Sequence, residues 1–171
     1  MIKTVIALCI LILPLKNFAQ APKETTDAIR KLGFLEGIWK GKGWIGTSDK
    51  KQHFNETETI SIKVGETLLQ IDVYGTSVEN DSVTINNGLT VISYDLSTKK
   101  YKMIFFQSDG SFAEADVRIT NENTVEINLL RSSGYTRFII EVKNSQWLEK
   151  AFSSSDGKNW DQFFEMKLSR Q

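Results

Sequence analysis

From Trp39 onward apolar and polar residues alternate with period two, and short clusters of Gly, Asn, Asp and Ser interrupt the alternation roughly every 8 to 12 residues. The runs fall at about 37–46, 52–64, 67–75, 84–95, 99–108, 111–120, 123–130, 133–142, 145–154 and 159–169. Separators such as Asp109-Gly110, Ser132-Ser133-Gly134 and Ser155-Asp156-Gly157-Lys158 have hairpin chemistry. Only the stretch from Thr76 to Ser82 is longer and more polar. Short connections join antiparallel neighbours, so the order of strands in the sheet follows the order in the chain. Such a meander leaves two exposed edges unless it closes on itself. The pattern therefore predicts an all-β chain: an up-and-down antiparallel β-barrel of about ten strands. Ahead of it, Glu24 to Leu35 reads as a short N-terminal helix with Ile29, Leu32 and Leu35 on one face and Gly33 weakening its end.

The first strand carries Gly37, Trp39, Gly41 and Gly43 on one parity. Glycines at alternate positions strip one face of side chains, so that another element can come close or the strand can bend. In the second strand Phe54, Glu56, Glu58, Ile60, Ile62 and Val64 share a face whose apolar end marks it as interior. Glu56 and Glu58 then point inward too, unless a bulge flips the register ahead of Ile60. Inward carboxylates are costly unless they reach water at an open end, pair with an interior arginine or meet a ligand. Arg118 and Arg137 are the candidate counter-charges. However, Ala113, Ala115, Val117 and Ile119, and likewise Phe138, Ile140 and Val142, make better interior sets and leave both arginines outside.

Aromatics supply the rest of the interior. Tyr101, Met103 and Phe105 share one face, and the last run stacks Trp160, Gln162, Phe164, Met166 and Leu168. Such stripes make either a solid core or an apolar cavity with a few polar directors. The candidate ligand-binding residues are Trp39, Phe54, Glu56, Glu58, Tyr94, Phe105, Trp160 and Phe164. Gln70, Tyr74 and Gln107 are further polar candidates, and Glu56 and Glu58 are the candidates for any catalytic role.

The N-terminus changes the expected compartment. Lys3, an apolar run from Val5 to Leu15 and the stretch Lys16-Asn17-Phe18-Ala19-Gln20 form a secretory signal-peptide pattern, whose apolar core is shorter than the roughly 18 residues of a membrane span. Residues 1–19 are thus expected to be a leader and 20–171 a single β-barrel domain. That domain would be exported to the periplasm or the medium without stable membrane insertion. The only cysteine, Cys9, would leave with the leader, and disulfides, zinc–thiolate sites and cysteine nucleophiles would leave with it. Without Lys3 and Lys16 the chain carries 19 basic against 21 acidic side chains, a net charge of −2. A nucleic-acid partner is not expected from that balance, because phosphate binding needs a basic stripe.

The sole histidine, His53, lies near a turn on the parity opposite the inward set. No second histidine exists to complete a metal pair, and there is no Gly-x-Ser-x-Gly elbow for a serine–histidine–acid device. No metal site is expected.

Gly37-Ile38-Trp39-Lys40-Gly41-Lys42-Gly43 resembles the Gly-x-Trp-x-Gly-x-Gly entry strand of the nitrobindin-like and lipocalin-like barrels. The segment from Asp156 to Met166 resembles the last hairpin of secreted bacterial lipocalin-like, calycin-type domains. The resemblance implies a barrel of eight to ten strands with a helix near its mouth. Nitrobindins hold haem through a histidine in the C-terminal part of the barrel. This chain has none after His53, so no haem or other cofactor is expected. Three functions compete: a secreted barrel that binds a small apolar or amphipathic molecule; an isomerase or hydrolase using an interior Glu as general base; and a structural or interaction barrel that works through its outer surface.

Overall fold

The computed structural model describes residues 21–47 and 49–171, so the expected leader lies outside the described residues. Helix α1 (Lys23–Arg30) and a short 3-10 turn (Gly33–Leu35) precede ten strands. These are β1 (Gly37–Thr47), β2 (Lys50–Lys63), β3 (Leu68–Ser77), β4 (Thr84–Asp95), β5 (Lys100–Gln107), β6 (Phe112–Asn121), β7 (Thr124–Arg131), β8 (Gly134–Lys143), β9 (Gln146–Ser154) and β10 (Asp161–Arg170). Every neighbour pair is antiparallel, and β1 pairs with both β2 and β10, so the meander closes into a barrel without a free edge.

The expected single helix is split. Its α-helical part ends at Arg30, ahead of Gly33, and the chain tightens into the 3-10 turn. The apolar stripe nevertheless survives: Ile29, Leu32 and Leu35 are all fully buried. They plug one end of the barrel together with Leu69, Val125 and Leu168. The Tyr101 hydroxyl donates to the Ala28 carbonyl at 2.7 Å, which ties the helix to the rim of β5. Arg30 adds an ion pair to Glu66 in the β2–β3 turn. At this end the hairpins are tight. Asn144 and Ser145, both with positive φ (51° and 59°), form the two-residue connection between β8 and β9, in the left-handed geometry that short hairpins favour.

Trp39 anchors the plug. Its indole is fully buried, donates to the Leu35 carbonyl at 2.8 Å and packs against Trp147, with ring centroids 5.6 Å apart. Arg170, at the end of β10, lies over the outer face of Trp39 at 4.3 Å and donates to the Phe34 and Glu36 carbonyls. One side chain thereby joins the last strand, the 3-10 turn and the first strand. Arg170→Ala should cost about 1–2 kcal/mol, since two charge-assisted hydrogen bonds and a cation–π contact at a partly exposed site are lost. Urea unfolding measures it, and a midpoint identical to wild type would show that the clasp contributes nothing.

The alternate glycines of β1 allow the close approach expected of them. A Cβ at Gly41 would stand 2.0 Å from the Lys167 carbonyl oxygen, and one at Gly43 would stand 2.4 Å from the Phe54 ring. Phe54 therefore lies flat over β1 and stacks on Phe164 of β10 at 5.6 Å.

Candidate functional site

Above the plug the barrel is hollow. A cavity of about 440 Å³ opens at the end where β1–β2, β3–β4, β5–β6, β7–β8 and β9–β10 turn. Its upper wall is apolar, with Phe54, Phe105, Phe138, Phe163 and Phe164 contributed by the four strands β2, β5, β8 and β10. Trp147 belongs to its lower wall, above Trp39. This size and this predominance of apolar wall are those of a small-molecule site.

The polar part of the wall is acidic. Glu56, Glu58 and Glu149 all face the cavity, and all are buried (3%, 6% and 9% exposed). Strand β2 brings in the first two through its alternation, with no bulge before Ile60: Phe54, Glu56, Glu58 and Ile60 pair in unbroken register with β1 and β3. Glu149 comes from β9, on the inward parity of Trp147 and Ala151. Between it and the β2 pair run only β10 and β1, and β1 presents Gly41 and Gly43 at this level. β1 therefore adds no side chain at these two positions, and Met166 of β10 lines the wall beside Glu149.

Glu56 and Glu149 are each held by one side-chain donor. Asn86 of β4 donates to Glu56 Oε1 at 3.2 Å, while Glu56 Oε2 is buried without a hydrogen-bond partner. That orphaned oxygen lies in the notch over Gly75, where a Cβ would stand 2.2 Å from it. The Trp147 indole donates to Glu149 Oε2 at 3.1 Å. Burial pushes the Glu56 carboxyl up to about 8, against the Asn86 hydrogen bond and helped by the charge of Glu149. Burial raises Glu58 well above the ordinary range, and the nearby charges of Glu149 and Glu56 act in the same direction. Glu149 rises to about 7, again chiefly through burial and against the Trp147 donor. Near neutrality the Glu56 carboxyl is thus largely protonated, Glu58 is shifted in the same direction, and Glu149 is about half protonated.

Among the described residues, Arg131 is the one cation on the wall. It ends β7 at the mouth, is exposed, and is not among the charges acting on the three carboxyls. The arginines weighed from sequence lie outside. Arg118 is exposed, and Arg137 bonds Asn128 at 3.2 Å and lies 4.2 Å over the Trp160 ring.

Of the residues expected to bind ligand, Phe54, Glu56, Glu58, Phe105 and Phe164 line the cavity. Trp39, Tyr94 and Trp160 do not. Trp39 is in the plug behind Trp147. Tyr94 meets Tyr101 edge-on at 5.1 Å, at the helix end. Trp160 lies outside, beneath Arg137, because a bulge between Gln162 and Phe164 breaks the parity that was expected to align Trp160 and Gln162 with Phe164. The same bulge brings both Phe163 and Phe164 to the cavity. Gln107 lines the mouth, whereas Gln70 bonds Asp72 and Tyr74 is exposed. His53 is exposed. Glu149 and Phe163 were missed. For Glu149 the signal was present, since it stands between Trp147 and Ala151 in a period-two run; for Phe163 no local pattern marks the bulge.

Fold and site together define a closed, ten-strand antiparallel β-barrel with an internal pocket. No protein-family model matches the chain, and no curated protein resembles it in sequence. Solved structures do resemble it in fold. One is the Rv2717c protein of M. tuberculosis, with a TM-score of 0.62 at 12% identity, covering 89% of this chain and 99% of that one. Another is the S-type phycobiliprotein lyase CPES of Guillardia theta, with a TM-score of 0.56 at 11% identity, covering 85% of this chain and 91% of that one. A de novo designed fluorescence-activating β-barrel matches with a TM-score of 0.40 at 17% identity over 81% of this chain and 95% of its own, too loosely to bear on the argument.

Proposed function

We propose that this protein is a secreted binding barrel of the lipocalin-like kind, which holds one small, largely apolar molecule inside. The observation that carries this reading is the cavity of about 440 Å³, closed below by the helix and open at one end, with aromatic rings around its throat. A barrel built only for rigidity fills its interior with side chains. Resemblance in fold to a phycobiliprotein lyase is consistent with a role for such an interior. Export rests on the leader pattern in residues 1–19, and the N-terminal sequence of the protein recovered from the periplasm or medium tests it.

Nile red, a neutral apolar dye, tests the binding. It should bind at one site with blue-shifted emission, and Thr136→Trp, which introduces an indole from β8 into the cavity, should weaken it at least tenfold. Dye binding that is unsaturable, or unchanged in this variant, would contradict the proposal. A general acid–base role is favoured by one observation, the Glu56 carboxyl raised to about 8. It requires turnover of a bound molecule that disappears in Glu56→Gln while binding persists.

A further inference from the structure

The proposed binding role says nothing of what the carboxyl floor is for, and three inward glutamates are an expensive way to line an apolar pocket. Resting on that role, we infer that the molecule bound in the barrel is an amphipathic organic cation, with an ammonium group seated among Glu56, Glu58 and Glu149 and an apolar body filling the aromatic throat.

Four observations converge on this. The first is segregation. The carboxyls lie deep, at the level where Glu58 pairs with Trp39 and Glu149 with Met166, while Phe54, Phe105, Phe163 and Phe164 line the wall above them. A ligand entering from the mouth meets apolar wall first and acid last, so its head must be polar and its body apolar.

The second is unmet hydrogen bonding. Glu56 Oε2 is buried with no partner, although Glu56 is 97% removed from solvent and its other oxygen is satisfied by Asn86. A buried acceptor of this sort costs free energy until a donor reaches it. No cation and no hydrogen bond offsets the effect of burial on Glu58.

The third is charge. The ionisable groups facing this space are the three glutamates and Arg131, and Arg131 stands at the mouth. The neighbouring contributors are neutral: Asn86, Thr90, Gln107, Thr136 and the Trp147 indole. An anionic head would face three acids with no counter-charge at depth, whereas an ammonium offers three N–H donors to three carboxyl groups.

The fourth is spacing. Among the described residues no three acidic or other ligating side chains are placed to hold a metal ion. The acids approach from two strands separated by β10 and β1, across the glycine-lined wall. The cation inferred for this floor is therefore an ammonium and not a metal ion.

Proton balance then follows. In the empty barrel at pH 6 the carboxyls are largely protonated; when R–NH₃⁺ enters, at least one gives up its proton to bulk buffer and becomes the counter-ion. Cation binding is therefore linked to proton release, and affinity should rise from pH 5 to pH 8 while the amine itself stays charged.

The test compares 2-(1-naphthyl)ethylamine with 2-(1-naphthyl)ethanol, which share an apolar body, by calorimetry in buffers of different ionisation enthalpy. The amine should bind at least tenfold more tightly at pH 8, and at pH 6, where the carboxyls still hold their protons, its binding should release protons. In the Glu56→Gln/Glu58→Gln/Glu149→Gln triple variant both the preference and the release should vanish, while the alcohol still binds. Glutamine mimics the protonated carboxyl in shape, so the variant should fold, and retained alcohol binding would confirm that it has. Equal affinities in the wild type, or a preference that survives the triple variant, would overturn the inference and leave the binding barrel standing. Alcohol and amine binding that both ignore Thr136→Trp would overturn the binding barrel as well.

Discussion

The barrel should be most stable near pH 5 and lose roughly 3 kcal/mol or more of unfolding free energy by pH 8.5. The cause is the carboxyl floor. In the unfolded chain Glu56, Glu58 and Glu149 ionise near pH 4.5, whereas in the folded barrel Glu149 holds its proton to about 7 and Glu56 to about 8, and Glu58 is raised as well. Between these limits the unfolded state binds fewer protons than the folded one, so stability falls as pH rises, at about 1.4 kcal/mol for each tenfold difference in proton affinity. Below pH 4.5 the three groups contribute no slope. Asp95, whose carboxyl is held down at about 2 by Ser97 and Thr98, works in the opposite sense and only in more acidic solution. Asp156, bonded by the backbone of Lys158 and Asn159, acts likewise. Urea unfolding from pH 4 to 9 should show this fall in the wild type, and Glu58→Gln should flatten part of it. A wild-type profile that is level or rising between pH 5 and 8.5 would mean that the acids are not desolvated as described.

Gly41→Ala should be severely destabilising, costing roughly 3 kcal/mol. The new Cβ would stand 2.0 Å from the Lys167 carbonyl oxygen and 2.9 Å from the Leu168 Cα, both backbone atoms of β10. No rotamer change can relieve a clash with backbone, so the β1–β10 seam that closes the barrel must open. Gly33→Ala is the matched control. Its nearest neighbour would be the end of the Glu36 side chain at 3.7 Å, ordinary contact distance, and stability should stay within about 0.5 kcal/mol of wild type. Thermal melts of the two variants read the contrast directly, and equal melting temperatures would refute the seam argument.

Much of this architecture was legible because a closed meander is a local problem. Alternation fixes the face, turn residues fix the connections, and sequence neighbours pair in space, as β5 and β6 show with Tyr101, Met103 and Phe105 opposite Val117, Ala115 and Ala113. The inward direction of Glu56 and Glu58 could be read in the same way, from Ile60 and Ile62 on their strand. The failures arose where local rules yield to tertiary ones. One extra residue at Phe163 re-aims everything N-terminal to it in β10, so Trp160 ends outside. Trp39 and Tyr94 do face inward, but α1 caps their end of the barrel and turns would-be pocket residues into a plug. The meeting of Glu149 with the β2 acids depends on closure, which no stretch of sequence contains.

Native mass spectrometry of the protein isolated from its source organism, wild type beside Thr136→Trp, tests the interior binding site most directly. The wild type should retain one small molecule per chain, basic in character, and the variant should lose it. A wild type that emerges bare, or an adduct equally abundant on both proteins, would contradict the account.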